Sequence, residues 1–304
     1  MARPRWLWLG AVLVAALPLW APAYVLQLAS TAVVSAMLAL SLHLLVGGLG
    51  LVSLGQAAFF GLGAYGVFFL QGAPLWLTLL AAALLAGVAA LAVGMLALRS
   101  RGFFFLMTTL AFGQMLFFLI HDAPWAGGAD GVFVTRPALS LGGWAWDVPR
   151  RQRPAVLLWI NLTLLVAVYA LVARAMGSLW GRALLGVKAN EQRMAALGYN
   201  VFALKLGAFV LSGALAGVAG HQWAMTEAFV NPELLGWHRS AEALLMILLG
   251  GIGALHGPVL GAFAFVGLTE LAQLVTERQR LAQGIVFLLA VLVLRRGLAG
   301  LVRK

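Results

Sequence analysis

Long apolar stretches, separated by short segments rich in glycine, proline or charge, recur along most of this chain. A helix needs roughly 20 apolar residues to cross the hydrocarbon core of a bilayer. The pattern therefore predicts an all-α fold, a polytopic transmembrane helical bundle with about ten spans (eight to ten). The predicted spans are 6–24, 27–46, 53–70, 75–98, 102–120, 154–174, 204–224, 241–255, 258–274 and 281–294.

The two ends of this pattern leave alternatives open. Arg3 and Arg5 precede the first apolar run and Ala21-Pro22-Ala23 follows it, so a cleaved signal peptide competes with an uncleaved first span. The uncleaved span is the expectation, because a multispanning protein can use its first span as the insertion signal. The piece 241–255 is short for a span, and a re-entrant arrangement with 258–274 stays open. Residues 1–304 are expected to form a single transmembrane domain.

Residues 177–205 interrupt the apolar pattern. Each Lys or Arg at mid-membrane costs roughly 2.5–3.5 kcal/mol, so this charged segment is not expected to span. Wound as a helix, it would place apolar side chains on one arc, interrupted by Glu191, and most polar side chains away from it. The apolar arc comprises Leu184, Val187, Met194 and Ala195, and the charged residues are Arg182, Lys188, Glu191, Arg193 and Lys205.

We call residues 177–205 the elbow. Gly186 is predicted to divide it into two short helices, and Gly198 is predicted to end the second one. One interpretation is an amphipathic helix lying on lipid headgroups. The other is a docking surface for a soluble partner.

The distribution of charge predicts the orientation. The chain has 20 Lys and Arg, nine Asp and Glu and a net charge of +11, and Lys and Arg favour cytoplasmic segments. With both termini and the elbow inside, residues 121–153 form an external loop. The inside segments then hold Arg3, Arg5, Arg99, Arg101, Arg174, Arg182, Lys188, Arg193, Lys205, Arg295, Arg296, Arg303 and Lys304. The excess charge follows topology and forms no basic stripe on a soluble face, so no nucleic-acid partner is expected.

The sequence lacks the motifs of most enzyme classes. The chain has no cysteine and no Gly-x-x-x-x-Gly-Lys-Ser/Thr motif, so it is not expected to bind ATP through a P-loop. The Gly-x-Gly-x-x-Gly match at 61–66 lies inside an apolar stretch without a strand before it, so it is not a dinucleotide site. The five histidines are too far apart for paired metal ligands. A non-enzymatic protein without bound cofactor or metal is expected.

Five motifs in the same order resemble one family of membrane proteins. They are GLGLVSLGQAAFFGLGAY at 48–65, RGFFFLMTTLAFGQ at 101–114, GGADG at 127–131, the elbow, and LLMILLGGIGALHGPVLGA at 244–262. Within the elbow the resemblance rests on Gly181-Arg182-Ala183 and on Ala195-Ala196-x-Gly198. Over about residues 45–275 the chain resembles the branched-chain amino acid ABC importer permease family, and within it the M-type membrane subunits.

This resemblance implies partners and a mechanism. A sister permease subunit, two cytoplasmic ABC ATPases that bind the ATP and an extracytoplasmic substrate-binding protein would complete an importer in the bacterial inner membrane, working by alternating access. The elbow would couple to the ATPases, through Gly181, Arg182, Ala183, Glu191, Ala195, Ala196 and Gly198. Relatives of this type also move urea, short amides and other amino acids, so the substrate stays open. A stand-alone secondary transporter or channel is the alternative from a different class, and it would need an ion-coupling site near the midplane.

Candidate residues for the transport route are few. Gln56 and Gln114 are amides within apolar spans, where each must find a partner. The sequence around Gly47-Gly48 resembles that around Gly250-Gly251; glycine breaks in corresponding halves point to a route, although chance similarity is an equal alternative. Small residues at Gly213, Gly217 and Gly220, and at Gly253, Gly257 and Gly261, predict close helix contacts. Glu242 and Glu270 are expected near external span ends, within reach of headgroups.

Overall fold

The computed structural model describes residues 13–135, 139–141, 144–146, 149, 151–275, 284 and 297–301. Within these residues the chain is a helical bundle, and its strands are two or three residues long. The helices are α1 (Ala23–Leu49), α2 (Gln56–Phe69), α3 (Leu75–Ala97), α4 (Phe103–His121), α5 (Arg153–Gly177), α6 (Leu179–Ala189), α7 (Glu191–Ala196), α8 (Val201–Glu227), α9 (Trp237–Gly250), α10 (Gly257–Val275) and α11 (Leu298–Leu301). The strands are β1 (Val132–Phe133), β2 (Leu139–Leu141), β3 (Trp144–Trp146) and β4 (Phe229–Val230).

Five of the described helices, α1, α3, α4, α5 and α8, are long and apolar enough to cross a membrane. They confirm the predicted spans 27–46, 75–98, 102–120, 154–174 and 204–224, and α10 matches 258–274 closely. The predicted span 281–294 and most of 6–24 lie outside the described residues. The described end of 6–24 forms a 3-10 turn, Leu17–Leu19, and α1 begins only after Pro22.

Two predicted spans are shorter helices than expected. The regions 53–70 and 241–255 form α2 and α9, each of 14 residues, which is about 21 Å of helix against the roughly 30 Å of a hydrocarbon core. The prediction of a full span at 53–70 was therefore wrong. Residues 50–55 are not helical; the amide of Leu54 donates to Thr109 Oγ1 at 3.3 Å, and that of Gly55 donates to Ser53 Oγ at 3.3 Å.

Helices α1 and α8 form the centre of the bundle. Helix α1 packs against α5, α6, α8, α9 and α10, while α8 packs against α1, α2 and α3. Because lipid gives helices no hydrophobic reason to associate, close van der Waals contact between small residues holds them together. A Cβ at Gly220 would overlap the carbonyl oxygen of Phe60, and Cβ atoms at Gly213 and Gly217 would overlap alanine side chains of α3. The predicted small-residue surface on α8 is confirmed.

The second predicted small-residue surface is shifted. Cβ atoms at Gly250 and Gly261 would overlap backbone oxygens of Gly257 and Met246, so α9 and α10 cross through Gly250, Gly257 and Gly261. A Cβ at Gly253 would meet nothing within 4 Å. Gly250 thus makes the helix contact that was expected for Gly253. The reason is that α9 ends at Gly250, so Gly253 lies in the connection to α10.

The two ends of the bundle differ. We call the end where α1 finishes and α8 begins the elbow end, and the opposite end the far end. At the far end β1 pairs with β4 in antiparallel register, with Val132 opposite Val230. This pairing fastens the start of the 121–153 connection to the segment after α8. Strands β2 and β3 form a separate hairpin in the same connection.

Candidate functional site

The elbow consists of two short helices, α6 and α7, each with its own cap. Ser178 Oγ accepts from the amide of Gly181 at 3.3 Å, and Asn190 Oδ1 accepts from the amide of Arg193 at 2.9 Å. The division predicted at Gly186 was wrong, because Asn190 has extended backbone and caps α7. Gly186 stays within α6, where its missing side chain lets Met194 of α7 pack close. Gly198 has φ of +85° just after α7, which confirms the predicted stop.

The apolar arc of the elbow is only partly buried. Leu184 and Val187 are buried, and α6 packs against α1, α5 and α8. Met194 is half-buried and Ala195 is exposed. Ala195 is thus accessible to a partner, and its contact with an ATPase stays a prediction.

Two lysines tie the elbow to the centre of the bundle. Lys188 Nζ donates to the carbonyl oxygen of Gly47 at 2.9 Å and lies 3.4 Å from that of Val46. These carbonyls belong to the last turn of α1, whose negative end favours a cation; the Val46 oxygen also accepts from the amide of Gly50 at 3.2 Å. Lys205 of α8 pairs with Glu191 of α7 at 2.7 Å, with side-chain exposures of 10% and 36%. The elbow is thus in direct contact with both central helices.

The outward surface of the elbow is a mixture of apolar and basic groups. Leu179 and Leu197 are 77% and 67% exposed. Arg182, Ala195, Ala196 and Gly198 are exposed as well, Ala183 is half-buried and Gly181 is buried. We call the exposed residues Leu179, Arg182, Leu185, Ala195, Ala196 and Leu197 the docking face.

Gln56 holds the centre of the bundle together. It is completely buried at the start of α2, and its Nε2 lies 3.0 Å from Ser41 Oγ, 2.9 Å from Ser212 Oγ and 3.0 Å from Ser212 O. The next amide, that of Ala57, donates to Ser240 Oγ at 2.8 Å. The junction therefore joins α1, α2, α8 and α9. These contacts give Gln56 a packing role, and its place on a transport route stays a prediction.

Gln114 is in a different environment. It is half-buried on α4, beside an open groove lined by Ala111, Met115, Phe118 and Trp125 among others. Its Nε2 atom has no hydrogen-bond partner among the described residues. This nitrogen atom is buried rather than open to the groove, and the place of Gln114 on a transport route stays a prediction.

The two glycine pairs are not equivalent. Helix α1 continues through Gly47 and Gly48 to Leu49 and is capped by Gly50, so the expected break there is wrong. Cβ atoms at Gly47 and Gly48 would contact His43 and Met176, which shows that these glycines serve packing. Helix α9 does end at Gly250, and Gly251 has φ of +103°. Only the second pair interrupts a helix.

The start of α9 contains an ion pair that was not predicted from the sequence. Arg239 Nη1 is 3.0 Å from Glu242 Oε2, and the Arg239 guanidinium lies 4.3 Å from the centre of the Trp223 ring. Ser240, in the same turn, is bonded to the central junction, so Glu242 is not near an external end as expected. The i, i+3 spacing of Arg239 and Glu242 is a signal for such a pair, but the predicted span 241–255 begins after Arg239 and separates the two residues. Among the described residues no group of three metal-ligating side chains occurs.

Comparisons with known proteins agree on one family. A family model described as branched-chain amino acid transport system / permease component matches residues 24–294. The chain is 29% identical over 313 positions to the high-affinity branched-chain amino acid transport system permease protein LivM of Escherichia coli (strain K12), covering 96% of this chain and 74% of that protein.

Two further relatives carry similar descriptions. The LivM protein of Salmonella typhimurium is 29% identical over 298 positions, covering 91% of this chain and 70% of that protein. A probable branched-chain amino acid transport permease protein LivM of Methanocaldococcus jannaschii is 27% identical over 146 positions, covering 46% of this chain and 41% of its own. No solved structure gives a significant match.

Proposed function

The chain belongs to the branched-chain amino acid transport system permease family, and we propose that it is a transmembrane subunit of an ATP-driven importer. Its five long apolar helices support a multi-pass membrane protein. The distribution of Lys and Arg supports a bacterial inner-membrane location with the elbow end and both termini in the cytoplasm.

The observation that carries the proposal is the attachment of an exposed elbow to the two central helices. The docking face offers apolar side chains and Arg182 to a soluble partner, while Lys188 and Lys205 fasten the elbow to α1 and α8. A cytoplasmic ATPase bound there would move these helices when it closes on ATP. Glu191, expected to contact the ATPase, already pairs with Lys205, so its role is to hold the elbow.

The remaining subunits follow from the same proposal. The chain has no P-loop motif, so two separate ATPases bind and hydrolyse ATP. A sister permease completes the membrane part, and an extracytoplasmic binding protein delivers the solute at the far end. Transport then proceeds by alternating access.

Branched-chain amino acids are the favoured substrates, because the names of the similar proteins state them. Urea, short amides and other amino acids are the alternatives. Binding of each class to the cognate binding protein, measured by calorimetry, separates them.

The test of coupling is enlargement of a small residue on the docking face. Ala195→Arg and Ala196→Trp are expected to prevent close approach of the ATPase, since overpacking a contact costs about 1–3 kcal/mol. Both residues are exposed, so the bundle itself is expected to assemble normally. The measurements are ATPase capture and uptake in reconstituted vesicles, with Ala196→Ser as the matched small control.

The result that contradicts the proposal is full ATPase capture and unchanged uptake by both enlarged variants. The elbow would then be a helix resting on headgroups. The control variant Ala196→Ser is expected to retain uptake. Loss of uptake in this variant would indicate general damage to the elbow.

One observation favours a stand-alone secondary transporter as the second candidate. Glu242 lies one turn from the central junction, where a coupling ion would bind in such a protein. However, Arg239 already balances its charge. Uptake driven by a sodium or proton gradient in vesicles that contain this chain without ATPases would support this alternative.

A further inference from the structure

The start of α9 lies deep in the bundle. Ser240 is bonded to Ala57 beside the junction of Gln56, Ser41 and Ser212. Ser212 is about 16 Å from the start of α8 and about 22 Å from its end, at a rise of about 1.5 Å per residue. Ser41 is likewise well inside α1, about 12 Å from its end. The first turn of α9 is therefore at the depth of the hydrocarbon core.

A charged pair is exposed at this depth. The side chains of Arg239 and Glu242 are 27% and 36% exposed in the single chain, and His238, the residue before Arg239, is exposed. Charged groups are strongly disfavoured in lipid and face the interior of an assembly or a water-filled cavity. The surface formed by His238, Arg239, Glu242 and Leu245, which we call the α9 face, is therefore not directed at lipid tails.

The groups on this face match one class of solute. A guanidinium and a carboxylate lie 3.0 Å apart, and the guanidinium is held over the Trp223 ring. The first turn of α9 has no side-chain cap, so the positive end of the helix adds to the attraction for an anion. An α-amino acid carries a carboxylate and an ammonium on the same carbon, and the two ends of the pair can each attract one of them.

We propose that the α9 face lines the translocation route and that Arg239 and Glu242 contact the carboxylate and the ammonium of a passing zwitterionic solute. This inference rests on the proposed importer function. Beyond the importer function, the α9 face is the part of the chain that contacts the solute, and the paired carboxylate and ammonium are the chemical feature that it recognises.

The first experiment tests whether the α9 face is accessible to water. The chain has no cysteine, so Leu245→Cys can be followed by the mass shift of this chain with a membrane-impermeant thiol reagent. Leu245 lies beyond Glu242 on α9 and leaves the ion pair intact. The matched control is Leu84→Cys, because Leu84 is 59% exposed on α3 at the depth where Ala86 meets Gly213.

In the assembled importer in proteoliposomes, Leu245→Cys is expected to react at least about tenfold faster than Leu84→Cys, since charged reagents are excluded from lipid. Saturating L-leucine is expected to slow the reaction. L-leucinamide, which lacks the carboxylate, and 4-methylpentanoate, which lacks the ammonium, are expected to give little protection. Equal rates at Leu245 and Leu84 would overturn the placement on the route, and equal protection by all three solutes would overturn the zwitterion contact.

The second experiment removes one charge. Glu242→Gln is expected to raise the KM for leucine uptake at least about tenfold, one ionic contact being worth about that much, while Glu242→Asp restores most of it. Abundance of the assembled complex serves as the folding control. An unchanged KM in Glu242→Gln overturns the role of the carboxylate. If instead the unmodified protein takes up leucine without ATPases, the importer proposal fails, whatever the α9 face does.

Discussion

Removal of the Glu191 carboxylate is expected to destabilise the elbow more than removal of the whole Glu191–Lys205 pair. The Lys205 side chain is only 10% exposed and lies 2.7 Å from Glu191 Oε2. Glu191→Gln leaves this nearly buried ammonium without its counter-charge. Lys205→Met replaces the ammonium with an apolar group of similar length, so the double variant contains no unpaired charge.

The magnitude follows from the burial of the two partners. Breaking a fully buried pair by removing one partner costs about 3–5 kcal/mol, and an exposed pair contributes about 0–1 kcal/mol. Because Lys205 is nearly buried and Glu191 is 36% exposed, we expect Glu191→Gln to cost about 1–3 kcal/mol. The double variant is expected to lie within about 1 kcal/mol of the unmodified protein.

The assay is unfolding of the four purified proteins in detergent by increasing SDS, combined with hydrogen exchange of backbone amides. In Glu191→Gln the amides of α7 are expected to exchange faster, while those in the first half of α3, which lies toward the far end, stay unchanged. A double variant less stable than Glu191→Gln, or no loss in Glu191→Gln, would show that the pair does not anchor the elbow.

The other predictions concern the centre of the bundle and its orientation. Gln56→Leu is expected to reduce the yield of folded protein only slightly, since hydrogen bonds between membrane helices average about 0.6 kcal/mol. Gln56→Glu buries a charge without a counter-ion and is therefore expected to reduce this yield severely. Gly220→Ala is expected to lower thermal stability by overpacking, typically about 1–3 kcal/mol, and Gly253→Ala, which meets open space, is the control without effect. A single cysteine at Gln192 is expected to be labelled only from the cytoplasm, and one at Phe133 only from outside. The reverse result would contradict the predicted orientation.

The long helices could be predicted because their apolar stretches are continuous. The stretches 27–46, 75–98 and 204–224 became α1, α3 and α8 with ends shifted by a few residues. Length and hydropathy are sufficient to predict such helices, since a single segment that spans a bilayer must satisfy its backbone hydrogen bonds within itself. The small residues of α8 likewise predicted a contact, although its partner, α3, required the structure.

The elbow shows what local signals can and cannot provide. Its existence and its end at Gly198 were readable from charge and glycine. The division at Asn190 also has a signal in the sequence, because Asn followed by an acidic first turn is a helix-start signal, and in the structure this signal prevails over Gly186. The attachments of Lys188 to α1 and of Lys205 to Glu191 could not be predicted, because they join segments brought together only by tertiary packing.

The non-helical segment before α2 has a physical cause that also bears on transport. The sequence predicts a break between the spans 27–46 and 53–70, but residues 50–55 are largely apolar or glycine, so nothing in them indicates that the non-helical backbone extends to Gly55. That segment is stable at membrane depth because Thr109 and Ser53 accept its amides, and irregular backbone persists there only where protein or water covers it. Helix α9 begins beside it, joined to Ala57 through Ser240. A bundle that must open alternately to each side can move at such a junction without exposing unpaired backbone to lipid, so we expect the change between inward and outward states to occur where α2 and α9 begin.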